Sequence, residues 1–214
     1  MLLPIFVTGK TRDNRLIARF FMRICIYGSA SNKIDDKYKK TVEELGERLA
    51  TAGHELVYGG GANGLMGAAV RGFKRGGGKA TGIVPKFFTG NLAEALSKQS
   101  DEIIWTNTMH ERKQKMEELA EAFITVPGGV GTFDETFSVI TDKQLGVHFK
   151  PVAIYNLYGF FDSFVALMNH AVKENFVNEK CLDIYKVTSD VDELIEYLKK
   201  GDEKRFVISE VKNG

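Results

Sequence analysis

The sequence predicts an α/β fold: a Rossmann-like, doubly wound parallel sheet in three layers, carried by a single domain. Three observations lead there. From Arg23 onward, short apolar runs of strand composition alternate with longer helical segments, the pattern of βα units around a parallel sheet. Glycine and proline punctuate the joins between strands and helices, so no linker divides the chain. A length of 214 residues suffices to bury the apolar surface of one such domain and is short for two of ordinary size.

Taken in order, strands are expected at residues 23–27, 54–58, 80–84, 103–105, 122–126 and 152–155. Each is brief and apolar, as strands covered on both faces should be. Helices are expected at 35–52, 64–75, 92–96, 110–120, 131–145, 161–175 and 190–200. Residues 22–200 thus form the domain. Residues 1–21 read as an extension, disordered or the product of an upstream start, with an amphipathic helix over 14–21 as the remaining option; residues 201–214 read as a tail. The loops 28–32, 59–63, 106–109 and 127–130 follow the carboxyl ends of strands, where open α/β sheets bind ligands.

Composition narrows the function. Hydrophobic residues make up 43% and charged residues 27%, ordinary globular values. The net charge of +1, from 29 basic and 28 acidic residues, leaves no electrostatic footprint for nucleic acid. Cys25 and Cys181 form no CxxC or Cys/His cluster, so neither zinc nor a disulfide framework is expected, and a reducing cytoplasm fits. No run reaches the roughly 18 apolar residues that span a bilayer. A small molecule is the expected partner, with no metal, no nucleic acid and no membrane.

Among the motifs, Gly59-Gly60-Gly61-Ala62-Asn63-Gly64 matches GxGxxG formally. It follows the second strand, and no acid stands after the next strand to hold a ribose hydroxyl, which disfavours NAD. Tight turns and close packing explain such glycines as well as a phosphate does. Gly9-Lys10-Thr11 and Gly78-Lys79 lack the first glycine of a Walker A loop. Stronger is Pro127-Gly128-Gly129-Val130-Gly131-Thr132, which follows an apolar strand and opens a helix. Bare amides at Gly128, Gly129 and Gly131, with the helix dipole behind them, suit an oxyanion, and Thr132 adds a hydroxyl. The acids that follow, Asp134 and Glu135, read by themselves as first-turn acids. Thr108 and Glu111 have capping-box spacing, which puts Arg112 and Lys113 near the first turn of a helix, where cations oppose the dipole. An anionic ligand would explain them.

Together, Gly59-Gly60-Gly61 with Gly64-Leu65-Met66-Gly67, Met109-His110-Glu111-Arg112-Lys113, and Pro127 to Glu135 resemble the LONELY GUY family of cytokinin riboside 5′-monophosphate phosphoribohydrolases, long mislabelled as lysine decarboxylases. The resemblance spans residues 23 to 200. It implies cleavage of the N-glycosidic bond of a nucleoside 5′-monophosphate without a cofactor, by a homodimer. It carries over Arg112 and Glu135 as catalytic residues and Lys113, Gly129, Val130, Gly131, Thr132 and Thr141 as nucleotide contacts, with Glu94 near the base. Gly128, Gly59, Gly60, Gly61, Ser29 and Met109 complete the expected substrate site. A decarboxylase would need a lysine holding pyridoxal phosphate, and none stands in such a setting. The alternative is a nucleotide or molybdenum-cofactor carrier without turnover, which would have no use for both Arg112 and Glu135.

Overall fold

The computed structural model describes residues 21–88 and 96–201. The apolar runs become β1 (Arg23–Tyr27), β2 (Glu55–Tyr58), β3 (Ala80–Pro85), β4 (Glu102–Thr106), β5 (Ala122–Thr125) and β6 (Val152–Tyr155), and a seventh strand, β7 (Lys186–Thr188), extends the sheet. All pair in parallel in the order β4-β3-β2-β1-β5-β6-β7. The helices are α1 (Asp36–Thr51), α2 (Gly64–Arg75), α3 (Met109–Leu119), α4 (Val130–Gln144), α5 (Asp162–Lys173) and α6 (Val191–Lys200).

The period-2 alternation of β1 shows why the sheet is covered on both sides. Ile24 and Ile26 pack with Leu45 and Leu49 of α1, Leu65 and Phe73 of α2, and Leu194 and Leu198 of α6. Cys25 and Tyr27 point the other way, toward Met116 of α3 and Val139 and Ile140 of α4. The expected three-layer, doubly wound sandwich follows. Cys25 is a core residue, fully buried.

From β1 the chain winds through β2 and β3 to β4, then returns along α3 to place β5 on the opposite side of β1. The winding therefore reverses between β1 and β5, and the crevice outside their carboxyl ends is where such sheets bind ligands.

Several expected bounds shift by a residue or two because a cap stands just outside the helix. Asp35 accepts the Lys37 amide (2.9 Å), and Asp190 accepts the amides of Asp192 (2.7 Å) and Glu193 (3.0 Å). The expected helix 92–96 falls on residues outside the described ones except for Leu96, which bridges antiparallel to Gly61. Helix α5 is apolar at Phe164, Val165, Leu167 and Met168, yet none of its residues is fully buried.

Candidate active site

Backbone hydrogen bonds join the loops after β1, β2 and β5. The Ser29 amide donates to the Pro127 carbonyl (3.1 Å), and the Leu65 amide donates to the Ser29 carbonyl (2.7 Å). The Gly64 amide donates to Asn32 Oδ1 (3.1 Å). Gly64 has φ +59°, and a Cβ there would collide with the carbonyl of Ser29 and approach Ala30 C to 2.7 Å, so a glycine is required on both counts. Gly60, at φ +75°, packs against the Val84 side chain. The glycine run after β2 thus has structural reasons of its own.

The start of α4 is different. Gly129 is its N-cap, φ −103°, and no side chain caps the helix there. A Cβ built at Gly129 or Gly131 would meet nothing within 4 Å. Neither packing nor a left-handed backbone asks for glycine at these two positions; the N-cap favours it mildly at Gly129, and close approach of an anion to the first amides would favour it at both. Gly128 serves the fold instead, because the buried Thr132 side chain folds back onto it. The Thr132 carbonyl accepts the Thr136 hydroxyl (2.6 Å), which also pairs with the Thr125 hydroxyl (2.9 Å).

Helix α3 begins as its capping box predicts. Thr108 Oγ1 accepts the Glu111 amide (3.1 Å), and Glu111 Oε2 accepts the amide of Asn107, one residue before the cap (2.7 Å). The two cations that follow find partners inside the protein. Arg112, 8% exposed, donates through Nη1 to Glu135 Oε1 (2.8 Å) and through Nε to the Ile83 carbonyl (3.2 Å). Lys113 Nζ donates to Asp134 Oδ1 (2.9 Å). Two expectations are corrected here. A ligand is not needed to balance Arg112 and Lys113, since α4 supplies both carboxylates. Asp134 and Glu135 are not first-turn acids, because α4 begins at Val130 and has no acid in its first turn.

Glu135 is itself buried. Burial pushes its carboxyl above the ordinary glutamate value; Arg112, by charge and by hydrogen bond, pulls it back down, and Asp134 adds to the rise. The paired carboxylate is a base held in a partly desolvated place, with a guanidinium fixing its position.

Two cavities open at this edge of the sheet. One, of about 230 Å³, is lined by Arg112, Gly59, Gly61 and Met109, together with Ala30, Asn63, Met66, Val84, Phe88 and Leu96. The other, of about 310 Å³, is lined by Ser29, Gly128 and Gly129 with Asp35, Tyr38, Leu65 and Phe160. Gly59 makes room for Arg112: a Cβ there would overlap Nη2 and lie 3.1 Å from Cζ. Val130 and Gly131 face outward. Thr141 is exposed six residues beyond Glu135, about 9 Å along the helix axis, and lines neither cavity. Glu94 lies outside the described residues. Sequence reasoning did not place Tyr38, Phe160 or the pairing of Asp134 at the site, and named Met66 only as part of a motif; Tyr38, Met66 and Asp134 stand within helices, where no loop signal marks them.

Over 180 residues the chain is 37% identical to a cytokinin riboside 5′-monophosphate phosphoribohydrolase of Arabidopsis thaliana, covering 84% of each. The chain belongs to the LONELY GUY family. A second LONELY GUY relative, from Oryza sativa, is 40% identical over 159 residues, 74% of this chain and 65% of its own. A family model described as possible lysine decarboxylase matches residues 66–198. In fold, the chain resembles the molybdenum cofactor carrier protein of Chlamydomonas reinhardtii (TM-score 0.62, 22% identity, 83% of this chain and 95% of that one). It is equally like the molybdenum cofactor binding protein of Rippkaea orientalis (TM-score 0.63, 21% identity, 83% and 96%). At these identities the likeness is one of architecture.

Proposed function

We propose that this LONELY GUY chain is a nucleoside 5′-monophosphate N-ribohydrolase. It cleaves the N-glycosidic bond of AMP or of N6-modified adenine nucleotides, releasing the base and ribose 5-phosphate. The observation that carries the reading is the buried Arg112–Glu135 pair, placed just beyond a helix start whose Gly129 and Gly131 face open space. The relatives named as phosphoribohydrolases supply the substrate class.

The chemistry follows from the order of groups along α4. A 5′-phosphate on the amides at the start of α4 would sit about a turn and a half of helix before Glu135, roughly 8 Å along the axis. That is about the distance from a phosphate to the far side of its ribose. There the carboxylate stabilises the positive charge that develops at C1′, or takes a proton from the water that attacks it. Water oxygen bonds to C1′, the C1′–N bond breaks, and its electron pair leaves with the base, which gains a proton. Arg112 keeps the carboxylate ionised and aimed, and lines the apolar cavity where the base would lie.

The protein acts, in this reading, as a homodimer in the cytoplasm, with no nucleic-acid partner. Supporting the dimer are helix α5, which buries no residue fully and exposes Leu167, and the exposed Phe133 and Phe137 of the neighbouring α4. The two reduced, buried cysteines suit a reducing compartment.

The deciding experiment incubates wild type and Glu135→Gln with AMP, an N6-isopentenyl AMP and adenosine, and scores free base and ribose 5-phosphate. Wild type should cleave the monophosphates and leave adenosine nearly untouched. Glu135→Gln should bind AMP yet lose roughly 10²–10⁴-fold in turnover. Equal cleavage of adenosine, or full turnover by the variant, would defeat the reading; binding without turnover by wild type would put a carrier in front.

A further inference from the structure

The Lys113–Asp134 pair sits beside Arg112–Glu135 in sequence and space but in a different environment. The Lys113 side chain is 21% exposed and Asp134 is 60% exposed, against 9% and 11% for the inner pair. An ion pair this open to water contributes at most about 1 kcal/mol to folding. Stability therefore gives little reason for the carboxylate.

Its placement does. Asp134 stands three residues after Gly131 and four after Val130, on the same face of α4 as those two residues, and its side chain leans toward the N-terminal end where the free amides lie. The same carboxylate occupies Lys113, so an anion at Gly129 and Gly131 must compete with Asp134 for that ammonium group. Resting on the reading of the helix start as a phosphate seat, we propose that Asp134 is a positioning residue that holds Lys113 at the rim, yields it to an arriving phosphate and reclaims it as ribose 5-phosphate leaves. The pair thus weakens phosphate binding and favours product release.

A second consequence concerns Glu135. It is faced by Arg112 and Lys113 from α3, by Asp134 on its own helix, and by Tyr27 and Cys25 of β1, both kept neutral by burial. Asp134 raises the proton affinity of Glu135, so removing its charge lowers the pH at which Glu135 loses ionisation.

The test is Asp134→Asn, alone and combined with Lys113→Met, in the full-length protein. Calorimetric titration with inorganic phosphate and with ribose 5-phosphate should show about two- to five-fold tighter binding in Asp134→Asn. The gain should shrink at high salt and largely vanish in the Lys113→Met background. KM for AMP should fall in parallel, and the acid limb of kcat should move down by up to about half a pH unit. A carboxylate that only braces the surface would change the melting temperature slightly and move neither phosphate affinity nor the pH profile. Unchanged or weaker phosphate binding in folded Asp134→Asn overturns the inference, as does a gain that survives intact in the Lys113→Met background; absence of phosphate binding in every variant overturns it together with the phosphate seat. If wild type binds phosphate but releases no base, the hydrolase reading fails while the titrations still decide the role of Asp134.

Discussion

Replacing Gly59 with alanine tests whether Arg112 works through its position. The backbone at Gly59 lies outside the left-handed region, so alanine is sterically admissible to the main chain and the perturbation is confined to one methyl group. That methyl would overlap Arg112 Nη2 and stand 3.1 Å from Cζ and 3.2 Å from Met66 Sδ, where ordinary contact needs about 3.5–4.0 Å. The guanidinium must therefore move on the order of 1 Å. It is pinned by the Ile83 carbonyl at 3.2 Å and Glu135 at 2.8 Å, so the move breaks at least one of these bonds. A hydrogen bond to a charged group contributes about 1.5–3 kcal/mol, which in a protein of this size lowers the melting temperature by roughly 3–12 °C. A displacement of about 1 Å at the reacting centre should lower turnover at least about 100-fold. Melting without ligand and AMP cleavage, measured on one sample, separate the possibilities. A glycine kept only to admit a ligand would leave ligand-free melting unchanged. Full turnover in folded Gly59→Ala would refute the claim that Arg112 must stay where it is.

Gly129→Ala and Gly131→Ala should act differently, since no atom opposes the new methyl: ligand-free stability should hold or rise slightly for Gly131→Ala and fall by less than about 1 kcal/mol for Gly129→Ala at the N-cap, while AMP affinity measured by calorimetry falls at least about tenfold in both. Unaltered affinity in both would remove the phosphate from the start of α4. His148 should make stability pH-dependent. It donates from Nε2 to the Val139 carbonyl (3.0 Å), and its Nδ1 accepts the Lys150 amide (3.2 Å), so a proton on Nδ1 would face another donor. Burial, with Lys150 and Lys143 adding to it, pushes its pKa down to about 4 from 6.5. Between those values the unfolded chain binds the extra proton, so stability should be lost as pH falls from 6.5 to about 4. Melting curves of wild type and His148→Gln across that range check this, and equal slopes would contradict it.

The apolar runs from β1 to β6 were legible because each is bounded by glycine, proline or a helix cap. β7 was not. Lys186-Val187-Thr188 is an edge strand of three residues paired only to β6, too short to display a period. The glycines show a subtler limit. Gly60, Gly64 and Gly129 are the same letter, yet the first two satisfy left-handed turns and the third faces open space, a distinction made by neighbours from other strands. Arg112 was legible as an oddity, a cation early in a helix, but its cause was misread. The partner stands 23 residues away on a different helix, and only the placement of α3 and α4 on one face of the sheet brings them together. Asp134 was hidden for the same reason.

The reversal of strand order also decides when the crevice comes into being. Arg23 on β1 and Glu121, just before β5, are joined across 98 residues, a separation no other neighbouring pair of strands approaches. Closing so long a loop is entropically the most expensive step in building the sheet and among the slowest. The left half, from β1 to β4, can wind locally before that step, carrying the glycines after β2. Arg112, though, acquires its counter-charge only once β5 has added beside β1 and α4 has turned back over it. On a growing chain, reactivity therefore waits for α4, and a protein interrupted before Glu135 would hold five of the seven strands and a cation whose carboxylate is still missing.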